Sequence, residues 1–257
     1  MPSNVPIRDW RGKRVWIVGA SSGIGAALAE NLAARGARLA LSARGVERLE
    51  ALAARLPGAL AIPMDVTREA AHEEALATIR DAWGGVDVVV FNAGTYRPLR
   101  AWELTSEIAR ETLQTNLLGV FDGLAAVLPT MLAQRSGAVV LVGSVAGYGG
   151  LPKALVYGPS KAALINLAEC LHIDLVPRGV SVFLVNPGFV ETALTAQNDF
   201  RMPALIGADE AARQIVAGLA RGAFEIHFPK RFTRVLKLLR LLPRRAYFGL
   251  VRRATGA

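Results

Sequence analysis

Arg14-Val15-Trp16-Ile17-Val18 runs straight into Gly19-Ala20-Ser21-Ser22-Gly23-Ile24-Gly25, and a helical pattern over 24–35 follows at once. The first five residues are an apolar, β-branched run of strand length. The glycines let the backbone turn sharply and lie close to a bound group. The helix N-terminus behind them offers unpaired N–H groups and the positive end of its dipole, which together favour a pyrophosphate. The spacing Gly-x-x-x-Gly-x-Gly is a weak signal alone. Its place between a first strand and a first helix strengthens it, against the alternative of a plain tight βα turn.

The same alternation continues along the chain. Short apolar runs predict strands at 14–18, 38–42, 59–63, 86–91, 137–143, 180–185 and 223–228. Helical segments are predicted at 24–35, 45–56, 69–82, 107–134, 153–176 and 208–220. Runs that are apolar throughout suit strands covered on both faces. Strand–helix alternation implies right-handed crossovers and a parallel sheet of about seven strands, a doubly wound α/β three-layer sandwich. Residues 1–228 read as one such domain, and 229–257 as a basic tail.

Length and composition agree. The chain has 257 residues, 52% of them hydrophobic, which is enough for a sizeable core and excludes general disorder. Its one cysteine, Cys170, excludes a disulfide framework, and no metal site is expected from the spacing of His72, His172 and His227. Cys170 is expected as a small core residue on the apolar side of its helix. No apolar run of about 18 residues stands out, so an integral membrane fold is not expected. The segment Met1-Pro2-Ser3-Asn4-Val5-Pro6 has no secretory pattern, which leads to a cytoplasmic expectation.

The net charge is +9, and it is localised. Residues 226–257 hold nine Lys and Arg and no acid, leaving 21 basic residues upstream against 21 acidic ones. The excess belongs to the tail, and nucleic-acid binding by the body does not follow from it. Within 231–242, Arg234, Lys237 and Arg240 form one helical flank, and Phe232, Val235, Leu236, Leu239 and Leu242 the other, with Pro243 as the stop. A basic amphipathic segment over 231–253 suits contact with a membrane surface, or packing on the body or on a second subunit.

The second strand ends Leu41-Ser42-Ala43-Arg44. A dinucleotide fold selective for NAD usually carries an acid here for the ribose 2′-hydroxyl. None is present, and the Arg44 guanidinium suits a 2′-phosphate, which favours NADP and leaves NAD open. Tyr157 and Lys161 stand four apart on a predicted helix and share a face. An ammonium beside a phenol favours the phenolate, so the pair can pass a proton to or from a carbonyl oxygen while a cofactor moves hydride. Pro159 is tolerated only in a first helical turn, so that helix should begin close to Tyr157.

Taken together, these motifs resemble the classical short-chain dehydrogenase/reductase family, a Rossmann-type fold, over about residues 10–228. The glycine motif stands at Gly19, Gly23 and Gly25. Phe91-Asn92-Ala93-Gly94, Asn116, Ser144 in Gly143-Ser144-Val145-Ala146-Gly147, Tyr157-Gly158-Pro159-Ser160-Lys161 and Pro187-Gly188 with Thr192 follow in order. The resemblance implies Tyr157 as general acid/base, Lys161 as its pKa-lowering partner on the nicotinamide ribose, and Ser144 on the substrate oxygen. Asn116 would help fix a water that links Lys161 to solvent. It also implies a cofactor lining of Gly19, Ser21, Ser22, Gly23, Ile24, Gly25, Arg44, Asp65, Val66, Asn92, Ala93, Gly94, Tyr157, Lys161, Pro187, Gly188, Val190 and Thr192, with Asp65 on the adenine. Two positions depart from the family pattern, Val18 where Thr is frequent and Phe91 in place of an Asn. The family makes a homodimer or homotetramer the expected assembly.

The stretch 189–207, with Phe189, Leu194, Phe200, Met202, Leu205 and Ile206, is the expected substrate lid. Its apolar character suits a lipophilic carbonyl or alcohol substrate, lipid- or steroid-like, or merely docks the lid on the body. The leading expectation is an NADP-dependent oxidoreductase acting between ketone and secondary alcohol. The alternative is a dinucleotide-binding sensor or scaffold without turnover, which the complete Ser144, Tyr157, Lys161 and Asn116 set disfavours.

Overall fold

The computed structural model describes residues 3–256. Met1, Pro2 and Ala257, which open the leader reading and close the tail, lie outside them. Seven parallel strands form one sheet in the order β3-β2-β1-β4-β5-β6-β7. They are β1 (Arg14–Val18), β2 (Arg38–Ala43), β3 (Leu60–Pro63), β4 (Val88–Phe91), β5 (Gly137–Val142), β6 (Val180–Pro187) and β7 (Glu225–Phe228). All seven expected strands are present, with ends shifted by a residue or two.

The strands are apolar on both faces because both faces are covered. Val15 and Ile17 of β1 point into one core layer with α1 (Gly23–Ala33), α2 (Val46–Ala54) and α7 (Ala208–Arg221). Trp16 and Val18, one residue out of phase, point into the other with α3 (Ala71–Trp83), α5 (Gly119–Gln134) and α6 (Tyr157–Leu175). Each fully buried Val, Leu or Ile contributes about 1.5–3 kcal/mol. The Trp16 indole is fully buried and donates from Nε1 to Ser42 Oγ at 2.9 Å, which satisfies its one polar atom.

Strand order reverses between β1 and β4, and the crevice beyond their carboxyl ends is where an open α/β sheet binds its ligand. Residues of four family motifs meet at that edge: the glycine loop, Asn92–Gly94, Ser144–Ala146, and Pro187 and Gly188 with Thr192.

Three sequence expectations need correction. The segment 107–134 is not one α-helix: α4 (Ser106–Leu113) passes through a π-helical turn, Gln114–Leu118, into α5. The whole helical stretch Ser106–Gln134 is long and apolar enough to pass as a membrane span, contrary to the reading of the runs alone. Its Val120, Leu124, Val127 and Met131 are buried in the second core layer, which accounts for their apolarity. Cys170 is exposed. It lies six residues, 240° around the helix, from buried Leu164, on the opposite side from Ala168 and Leu175.

The tail forms α8 (Lys230–Arg240) and, beyond Pro243, a second helix that the sequence reading did not anticipate, α9 (Arg244–Thr255). Polar clamps set the rotation of α8. Lys237 pairs with Glu225 of β7, and buried Thr233 bonds His227 Nδ1 at 2.6 Å. Glu225 also takes hydrogen bonds from Tyr148 and from Asn186. Phe232 and Leu236 therefore pack against the body, whereas Val235 and Leu242 of the expected apolar flank are turned out to solvent. In α9, the Tyr247 hydroxyl donates to Gly150 O at 2.9 Å.

Candidate active site

The crevice is a cleft of about 440 Å³. Its floor is the glycine loop. Gly19 has φ +90°, and a Cβ there would lie 2.4 Å from Ala93 N; at Gly25 it would lie 2.1 Å from Gly19 O. Neither position has room for a side chain, so the loop stays flat against the Asn92–Gly94 strand end and leaves the α1 N-terminus open to the cleft. Asn92 Nδ2 donates to Gly19 O at 2.7 Å and fixes this approach.

At the two positions that depart from the family pattern, Val18 and Phe91, the side chains are buried in the second core layer. Val18 O accepts from Asn92 N at 2.9 Å and Ala93 N at 2.8 Å, so main chain joins the two strand ends at that position. Phe91 is buried, with its ring beside His72 and within 2.3 Å of where a Cβ on Gly123 would sit.

At one end of the cleft, Ala43 and Arg44 line the wall, with no carboxylate from the β2 end. Ser42 is buried on Trp16 and turned away. Arg48, a residue the sequence reading missed, joins Arg44 there from the first turn of α2. Met64 and Val66 line the cleft beside them, whereas Asp65 and Gly25 do not reach its surface. Asp65 Oδ1 accepts from Thr67 N at 2.9 Å and Thr67 Oγ1 at 2.8 Å, and these bonds hold its carboxyl below the usual range.

At the other end, Ser144, Tyr157 and Lys161 converge on the cleft wall. α6 begins at Tyr157, as Pro159 requires, so Tyr157 and Lys161 sit on its first turns with one face toward the cleft. Lys161 is buried; its Nζ donates to Val142 O at 2.9 Å and lies 5.7 Å from the Tyr157 ring centroid. Ser144 Oγ accepts from Ala146 N at 3.1 Å, which fixes the serine at the head of the 145–147 turn.

Asn116 is fully buried in the π-helical turn and does not line the cleft. Its Oδ1 accepts from Thr95 N at 2.7 Å; its Nδ2 donates to Thr95 O at 2.9 Å and to Ser160 Oγ at 3.1 Å. Both donors are committed, so the side chain ties the 92–95 loop to the helix carrying Lys161. The extra residue of the π turn gives it that reach.

Comparison with known proteins bears on this arrangement. The short chain dehydrogenase family profile matches residues 13–202. The chain belongs to the short-chain dehydrogenase/reductase family. It is 34% identical over 220 residues to the 3-oxoacyl-(acyl-carrier-protein) reductase FabG of Escherichia coli, covering 85% of this chain and 88% of that protein. A short-chain dehydrogenase from Sphingobium yanoikuyae in complex with NADPH superposes with a TM-score of 0.79 at 29% identity, covering 90% and 97% of the two chains. A short-chain dehydrogenase/reductase from Burkholderia phymatum in complex with NAD superposes with a TM-score of 0.85 at 25% identity, covering 95% and 96%. The protein is thus an NAD(P)-dependent oxidoreductase of this family.

The residues of this short-chain dehydrogenase fit a dinucleotide: a loop flattened where a Cβ would clash, a free helix N-terminus, and two guanidiniums at the far end. Bound there, the cofactor supplies a hydride donor or acceptor. Burial dominates the titration of Tyr157 and Lys161. It raises Tyr157 above its ordinary value, against a smaller lowering from a hydrogen bond with Ser144. It lowers Lys161 to about 8. The expected lowering of Tyr157 by Lys161 is not present in this geometry, because the ammonium faces Val142 O and is itself desolvated.

Tyr96 and Phe232, which the sequence reading did not assign to the substrate end, join the lid aromatics there. Tyr96 packs edge-on to Tyr157 at 5.0 Å between centroids, and its hydroxyl bonds Asn198 Oδ1 at 3.1 Å. Phe189 of the lid packs edge-on to Phe200 at 5.7 Å and lies tilted against Phe232 of α8 at 5.6 Å between ring centroids. Phe232 lies in the cleft wall, so the tail completes the pocket. The lid closes on itself where Glu191 N donates to Ile206 O at 2.9 Å, and Lys153 pairs with lid Asp199.

Proposed function

We propose that this dehydrogenase uses NADPH to reduce a ketone on a lipophilic molecule to a secondary alcohol. The observation that carries the substrate class is the cleft's substrate end. Leu151, Pro152, Phe189, Leu194, Phe200 and Phe232 line it, and among the described residues Lys161 is the only charged side chain there. A carboxylate or phosphate on the substrate would find no partner besides that catalytic lysine, whereas an acyl chain or ring system would bury apolar surface at about 25 cal/mol per Å². The 3-oxoacyl substrate named for the FabG relative belongs to this chemical class. NADPH over NADH rests on Arg44 and Arg48 together with the absence of an acid at the β2 end.

In this reading Ser144 Oγ holds the carbonyl oxygen, and Tyr157 Oη gives it a proton as hydride arrives at carbon. Lys161, its ammonium held on Val142 O, would bond the nicotinamide ribose and keep the cofactor beside Tyr157. A phenol is protonated at neutral pH, so Tyr157 carries the proton that the reductive direction needs. The test is a panel of carbonyl compounds, from short ketones to long-chain 3-oxo esters and steroids, with NADPH oxidation as readout. Turnover confined to the lipophilic members supports the proposal. NADPH binding without turnover across the panel would move the protein to the sensor or scaffold class.

A further inference from the structure

The tail has a second apolar face that the body leaves uncovered. On α8 and the turn after it, Val235, Leu238, Leu241 and Leu242 point outward, with Leu238 64% and Leu241 80% exposed. At 100° per residue, Arg231 and Arg234 fall inside the same arc, and Leu238 sits at its centre. Clamping by Glu225 and His227 on the inner side holds this arc outward. Beyond Pro243, Arg245, Arg252 and Arg253 occupy the side of α9 opposite buried Tyr247. Among the nine basic residues after Phe228, only Lys237 forms an ion pair within the described residues, and no acid lies among them.

We propose that the outer face of α8–α9 is a docking surface for an anionic lipid bilayer. The pattern carries both parts of interfacial binding: leucines to enter the acyl boundary and arginines whose stems lie along it while their heads meet phosphate or carboxylate headgroups. Charge complementarity selects the partner, since a single-sign patch with no acid repels a second copy of itself, and a nucleic-acid backbone gives the leucines nothing to enter. Phe232 lies on the inner side of the same helix, in the cleft wall. A bilayer against the outer face therefore lies one helix diameter, about 10 Å, from the substrate end. The inference does not depend on the proposed reaction, and its readout is physical association.

The experiment is co-sedimentation of the full chain with vesicles of phosphatidylcholine, with and without phosphatidylserine, at about 0.1 M salt, where the screening length is ~10 Å. Retention on the phosphatidylserine vesicles alone is expected. Arg231→Glu with Arg234→Glu should weaken it by roughly tenfold or more. Leu238→Ser with Leu241→Ser should weaken it comparably while melting temperature and NADPH binding stay unchanged. Three results would overturn the proposal: no retention on either vesicle, equal retention on both, or full retention of the leucine variant, which would leave only a polycation. Light scattering gives a fourth. If the leucine variant turns a wild-type oligomer into a smaller species, the face is an interface between copies of the chain.

Discussion

Lys161→Met removes a buried ammonium from the cleft wall and, with it, a pH-dependent cost to stability. Burial lowers Lys161 to about 8, against an unfolded value near 10.5. Between those two values the unfolded chain holds more protons than the folded one, so the lysine's contribution to stability rises with pH. Its penalty is complete below pH 8, at about 3 kcal/mol from 1.36 kcal/mol per unit, and it fades as pH climbs towards 10.5. Methionine at this position has no such dependence. Wild type should therefore gain about 1.3 kcal/mol on the variant between pH 7 and pH 9, which is roughly 3–5 °C in relative melting temperature for a chain of this size. All other titrations cancel in the difference, and Tyr157 stays protonated across the window because burial holds it high. The assay is thermal or urea melting of both proteins, without cofactor, at pH 7, 8 and 9. Parallel curves would refute the account, because they would mean that Lys161 is solvated or paired with an acid in the fold. The variant should also lose turnover at every pH.

Other outcomes follow from the same geometry. Tyr157→Phe should lower turnover by about 10²- to 10⁴-fold with NADPH affinity kept, read by stopped-flow oxidation and fluorescence titration. Arg44→Ser with Arg48→Ser should raise the KM for NADPH by roughly 10- to 100-fold, the worth of charge-assisted bonds to a phosphate, with little change for NADH. Phe232→Ala should raise KM for the largest accepted ketones and spare the short ones, since it opens the wall where Phe189 packs. Ser42→Ala should cost about 1–3 kcal/mol by orphaning the buried Trp16 N–H, measurable by urea unfolding.

The sheet was legible because its strands are apolar on both faces, which makes them stand out as runs, and because glycine and proline punctuate the turns between them. The start of α6 was legible from Pro159 alone. The cofactor floor was legible because backbone approach forces glycine at Gly19 and Gly25. Other features depend on contacts between distant segments. The π turn at Asn116 has no local signature; it exists to carry one amide to Thr95 and Ser160. The rotation of α8 could not be read from a helix with leucines on both sides, since Glu225 and His227 decide it from another element. Phe232 entered the cleft for the same reason. The exposure of Cys170 was within reach of the sequence, because its angle from Leu164 and Ala168 follows from helix geometry.

In the proposed reaction, hydride passes from NADPH to a lipophilic ketone on this wall. That transfer is tested most directly by following deuterium from NADPH labelled at either face of nicotinamide C4 into the product of an accepted ketone. One deuterium is expected on the carbinol carbon from one labelled face only, and none from the other. Oxidation of NADPH with no label in the alcohol, or no ketone accepted at all, would contradict it.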